Sequence, residues 1–122
     1  MLGYYYMRFQ EYDSLLREYE KVTMKVNILI DYGNGTKIWH NNTLVPYSAT
    51  LLNATERVAV VQSTYWPQYQ AVFIDAINGV LTTQEHWWWW KYWDANSNEW
   101  KNGEVGADLY KLKPSETVMW LY

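Results

Sequence analysis

The segment Glu85-His86-Trp87-Trp88-Trp89-Trp90-Lys91-Tyr92-Trp93-Asp94 gathers the residues with the most chemical reach in this chain. Indole and phenol rings stack on flat or C–H-rich ligands, and their large surfaces anchor protein contacts. Read as a strand, the segment sends Trp87, Trp89, Lys91 and Trp93 to one face and His86, Trp88, Trp90 and Tyr92 to the other. Both faces are bulky, so if one is ordinary core, the other needs a second cover. Three such tryptophans in the open would rival the largest apolar patches of soluble monomers, about 300–600 Å².

Catalytic constellations are poor by comparison. Adjacent Glu85 and His86 on a strand would face opposite ways and could not converge on one atom. Asp31 and His40 could meet across a hairpin, where a cross-strand ion pair is the simpler reason for them. Asp75, inside an apolar run, fits an outward alternate position shared with Phe73 and Ile77. The chain has no nucleophile elbow, zincin motif, phosphate loop or dinucleotide fingerprint. With no cysteine, it also lacks disulfides, thiolate metal sites and cysteine nucleophiles. The expectation is a non-enzyme without cofactor or bound metal.

The 122 residues allow one principal core. A net charge of −3 lacks the basic excess of a nucleic-acid-binding protein. No stretch is apolar enough to span a bilayer, and the first residues lack a leader pattern. Three N-x-Ser/Thr sequons, at Asn34, Asn41 and Asn53, favour an extracellular or cell-surface glycoprotein whose export segment is absent from this sequence.

Two units are expected to position these groups. Over residues 1–21, Leu2, Tyr5, Phe9, Tyr12, Leu16 and Tyr19 recur in steps of three and four, the seam of an amphipathic, coiled-coil-like helix. That helix could pack on its own domain, self-associate as a stalk, or serve another partner. From residue 22 the period becomes two, with Val22, Met24, Val26, Ile28 and Ile30 on one face of a strand. A Gly/Asn turn at Asp31–Thr36 leads into a returning strand at Lys37. Ser48 or Thr50 caps a short helix reaching about Val58, with Leu51, Leu52 and Thr55 inward. Strands follow at residues 70–77, before the Asn78-Gly79 turn, along the aromatic run, and at 117–122. The pattern gives an α+β mixed sheet with one crossing helix, preceded by the N-terminal helix.

The series Val26–Thr36, Thr50-Leu51-Leu52, Ile77-Asn78-Gly79-Val80 and the closing stretch from Trp87 to Tyr122 resembles the C-terminal domain of transcobalamin and intrinsic factor. That domain family also occurs on bacterial and archaeal surface proteins. The resemblance covers residues 22–122 and departs from the family in two loops, at Asp94–Glu99 and at Ser115-Glu116. It implies a β-grasp-like fold and, since transcobalamin holds its corrinoid between this domain and a helical one, a possible corrinoid partner. The expected role is a non-catalytic extracellular interaction or assembly module, contacting partners through Trp87, Trp88, Trp89, Trp90, Tyr92 and Trp93 and self-associating through the N-terminal seam. Alternatives are a sugar or corrinoid stacked on the tryptophans, or a structural domain whose N-terminal helix covers them.

Overall fold

The computed structural model describes residues 22–122. The expected helix over residues 1–21, with its seam of Leu2, Tyr5, Phe9, Tyr12, Leu16 and Tyr19, lies outside the described residues.

Strand β1, Thr23–Asp31, buries Met24, Val26, Ile28 and Ile30 as its alternation requires, and Leu29 is buried as well. The chain reverses through a turn in which Gly33 and Gly35 take positive φ, while Asp31 Oδ1 and Asn34 Oδ1 accept from the Gly33 and Thr36 amides. A Cβ on Gly33 would lie 2.7 Å from the Tyr122 carbonyl oxygen, so no larger residue fits this close approach. Strand β2, Lys37–Pro46, returns antiparallel, and Asp31 pairs in register with Lys37, not with His40. The expected Asp31–His40 pair is therefore replaced by an Asp31–Lys37 contact at 3.9 Å, and His40 stands opposite Ile28. A bulge at Asn41-Asn42 holds Asn42 at positive φ, and its amide donates to Asn27 Oδ1.

Thr50 caps helix α1, Leu51–Val58, through a capping box with Asn53. Leu51, Ala54 and Thr55 face the core. Then come β3 (Val61–Trp66), β4 (Ala71–Ile77), β5 (Val80–Leu81), β6 (Trp89–Asp94), β7 (Glu99–Asn102) and β8 (Thr117–Leu121).

These strands overturn the expectation of an α+β, β-grasp-like single mixed sheet. The described chain is mostly β, with half of it in strands, and it divides into two sheets. One sheet has the order β2-β1-β8-β6-β7, with β1 and β8 parallel and its other pairs antiparallel. The second is the meander β3-β4-β5. The physical reason lies in pairing. The apolar run at 71–77 bonds to its sequence neighbours on both sides, through the Asn78-Gly79 hairpin and the Trp66–Ala71 turn, and does not enter the larger sheet.

The core lies on one face of the five-stranded sheet. Val26, Ile28, Ile30, Val118 and Trp120 meet Leu51 and Ala54 of α1 and Ile77 of the small sheet. Trp120 Nε1 donates to Thr55 Oγ1 at 2.7 Å, so Thr55, the fully buried polar residue among those described, is satisfied. Two further indole N–H groups end on backbone carbonyls, Trp88 on Val80 and Trp90 on Val105. Among the described residues, no helix is long and apolar enough to cross a membrane.

Candidate functional site

The tryptophan run divides between core and surface, by alternation within β6 from Trp89 onward and through the preceding turn for Trp87 and Trp88. Trp88 and Trp90 are 6% and 7% exposed, whereas Trp87, Trp89 and Trp93 are 52%, 45% and 38% exposed. Tyr92 packs at the edge of the core with Trp90 and Tyr110. Of the six expected contact residues, Trp87, Trp89 and Trp93 lie open, and Trp88, Trp90 and Tyr92 serve the interior.

Register continues this outer face across the sheet, on which Leu29 and Met119 are themselves buried. Trp93 stands opposite Trp100 of β7, with ring centroids 5.4 Å apart in an edge-to-face contact. Trp89 stands opposite Leu121, Lys91 opposite Met119, Met119 beside Leu29, and Leu29 opposite Trp39. Trp39 is half exposed. Sequence reading passed over Trp39 and Trp100, although their strand positions were the available signal: a register partner of an outward residue faces outward too. Lys91 Nζ sits 5.5 Å from the Trp89 ring centroid, a cation–π contact on this same face.

Residues 85–88 precede the strand, and this changes the geometry of the Glu85-His86 pair. Thr83 closes a tight turn, its amide donating to the His86 carbonyl at 2.6 Å and its hydroxyl accepting from the His86 amide at 3.1 Å. Strand alternation does not apply there. Glu85 and His86 consequently line one cleft with Trp87, Trp89 and Tyr122, of about 190 Å³. The strand geometry that their expected divergence assumed begins only at Trp89. The His86 ring stacks on Tyr122, centroids 5.6 Å apart, and Tyr122 leans on Trp88 at 5.0 Å while its hydroxyl donates to the Leu81 carbonyl at 2.6 Å.

A second cleft, of about 350 Å³, lies between Tyr92, Trp93, Asp94, Tyr110, Lys113 and Glu116. Its carboxylates are already engaged. Asp94 meets Lys101 at 2.7 Å, an ion-paired hydrogen bond that holds the Asp94 carboxyl below its ordinary range and raises Lys101. Glu116 accepts from the Tyr110 hydroxyl and from the Lys113 amide. Burial first, then the bond to Glu116, pushes the Tyr110 phenol well above its usual range.

Asn34, Asn41 and Asn53 are all exposed. In the third sequon both Asn53 and Thr55 also have structural work, in the helix cap and the core. Among the described residues no three His, Asp or Glu side chains gather as a metal-ligand set.

No family model matches the chain, and no curated protein matches it. Solved structures do share its fold. Haptocorrin in complex with Cbi aligns with a TM-score of 0.55 at 15% identity, over 80% of this chain and 25% of that one. A protein of Ruminococcus gnavus ATCC 29149, provisionally described as metal binding, aligns with a TM-score of 0.53 at 13% identity, over 80% of this chain and 94% of that one. The alignment thus spans about a quarter of haptocorrin's length. Haptocorrin is of the transcobalamin family, so the resemblance read from the sequence holds as a structural relationship, and at these identities the likeness is one of fold.

Proposed function

We propose that this chain is a non-catalytic interaction module of an exported or cell-surface protein, engaging its partner through the outer aromatic face of the five-stranded sheet. The observation that carries this reading is the split within one tryptophan run: two rings complete the core while Trp87, Trp89 and Trp93 stay half open beside Trp39 and Trp100. The helix and the small sheet pack on the inner face, so neither is the cover for this outer one. Exposed aromatic groups of this kind supply most of the binding energy at protein and ligand interfaces. The sequons at exposed Asn34 and Asn41 support export.

The test is a variant with Trp87, Trp89 and Trp93 all changed to Ser. It should keep cooperative unfolding while losing the saturable associations of the parent chain, read as mass by light scattering and as ligand-dependent tryptophan emission. A parent chain without any association, or a triple variant that keeps all of them, would refute the reading.

A second reading, corrinoid binding, is favoured by the fold shared with haptocorrin, solved in complex with Cbi. Titration with a corrinoid decides it, since binding should quench tryptophan emission in the parent chain and not in the triple variant.

A further inference from the structure

We infer that the cleft of Glu85, His86, Trp87, Trp89 and Tyr122 is a binding site for a single neutral sugar ring. This rests on the aromatic face being the chain's contact surface and names the ligand class it takes at one end.

The first ground is size. Pockets for drug-sized ligands run roughly 300–1,000 Å³. At about 190 Å³ this cleft is matched in size to one ring. The second is the pairing of chemistries. Two half-open indoles offer apolar surface, while a carboxylate and an imidazole on the same wall offer an acceptor and a group that can donate or accept. A pyranose has the matching form, with a face of C–H groups and a rim of hydroxyls.

Charge narrows the class further. The Lys91 ammonium already lies near the Trp89 ring, so a cationic ligand would meet a like charge where it needs the π face. An anionic ligand would meet Glu85. A neutral polyhydroxylated ring avoids both penalties, and its hydroxyls can use either group.

The wall is also fixed before any ligand arrives. The Thr83 turn sets the backbone of Glu85 and His86, the His86 ring stacks on Tyr122, and Tyr122 is held by the Leu81 carbonyl and by buried Trp88. Preorganisation of this kind lowers the ordering cost that otherwise consumes weak binding energy.

The experiment titrates the full chain with methyl pyranosides of glucose, galactose, mannose and N-acetylglucosamine and the corresponding disaccharides, to tens of millimolar, by calorimetry and tryptophan emission. Saturable binding of at least one sugar is expected. Trp87→Ala and Trp89→Ala should each weaken it about tenfold, and Glu85→Gln should weaken it while leaving tryptophan emission and unfolding unchanged. Trp89→Phe should restore most of what Trp89→Ala loses. Trp93→Ala, on the same face beyond the cleft, should leave it within about twofold. No saturation with any sugar, or equal losses in the Trp93 and Trp89 variants, would overturn the inference. Self-association or corrinoid binding abolished in the triple variant would then still uphold the interaction face, so the two readings fail separately.

Discussion

Trp120 on the last strand and Thr55 on the helix meet as donor and acceptor at 2.7 Å, both fully buried, and Thr55 in turn donates to the Leu51 carbonyl at 2.7 Å. The bond joins β8 to α1 across the core and leaves the indole N–H no solvent alternative. Replacing Thr55 by Val keeps the shape and strands that donor. The expected loss is about 1–3 kcal/mol in urea unfolding, with Thr55→Ser losing less than Val. A Val variant as stable as the parent would show that the indole finds another acceptor.

Gly103 admits Trp90 to the core. A Cβ there would lie 2.1 Å from the indole ring, which is already fixed by its bond to the Val105 carbonyl and by Tyr110, 4.5 Å away centroid to centroid. Gly103→Ala should cost about 1–3 kcal/mol, since moving the ring would strain its bond to Val105 and its contact with Tyr110. Thermal unfolding of the purified variant reads the loss directly. Gly35→Ala makes a useful contrast, since a Cβ there meets nothing within 4 Å and only the positive φ opposes it.

How much of this was legible beforehand follows from which signals are local. The β1 alternation, a helix cap at Ser48 or Thr50 and the Asn78-Gly79 hairpin were all readable, because each depends on residues a few positions apart. Strand β3 was not, since only Val61 of its six residues is even partly buried and no burial period marks it. The division into two sheets was hidden for a different reason. Alternation tells which side of a strand is wet but not which strand lies beside it, and β1 pairs with β8 across 90 positions of sequence. At the site, the outward set of tryptophans was visible. The placing of Glu85 and His86 along one cleft was not, because the Thr83 turn makes strand parity the wrong rule there.

Tyr110 should give the fold an alkaline limit. Its phenol is raised in the folded state by burial and by the bond to Glu116, so the folded protein holds this proton more tightly than the unfolded chain. The stability this contributes is therefore complete below the ordinary tyrosine pKa of about 10 and is lost as pH rises above it. Unfolding free energy measured from pH 8 to 11 should fall at the upper end in the parent chain, and Tyr110→Phe should flatten that fall. An identical slope in both proteins would exclude Tyr110 as its source.

Glycan occupancy should be uneven among the three sequons if the protein is exported. Asn34 and Asn41 lie in an exposed turn and an exposed bulge, whereas Thr55 of the third sequon has its hydroxyl engaged in the core. Mass spectrometry of protein from its native source should find glycan at Asn34 or Asn41 more often than at Asn53. Unmodified peptides at all three would count against export.

The sharpest check on the two-faced tryptophan run is energetic. Trp90 is enclosed by Gly103, Tyr110 and the Val105 carbonyl, and Trp88 by Tyr32, Tyr122 and the Val80 carbonyl, so truncating either empties a packed site. Trp90→Ala should cost about 3–5 kcal/mol, enough to unfold a domain of marginal stability. Trp87→Ala, one position before Trp88 and half exposed, should stay within about 1 kcal/mol of the parent, since its ring leaves solvent-facing surface and not a cavity. Chemical denaturation of Trp87→Ala, Trp88→Ala, Trp89→Ala and Trp90→Ala should therefore alternate small, large, small, large. A uniform series would mean that the outer rings are covered as tightly as the inner ones, leaving no aromatic face for a partner to reach.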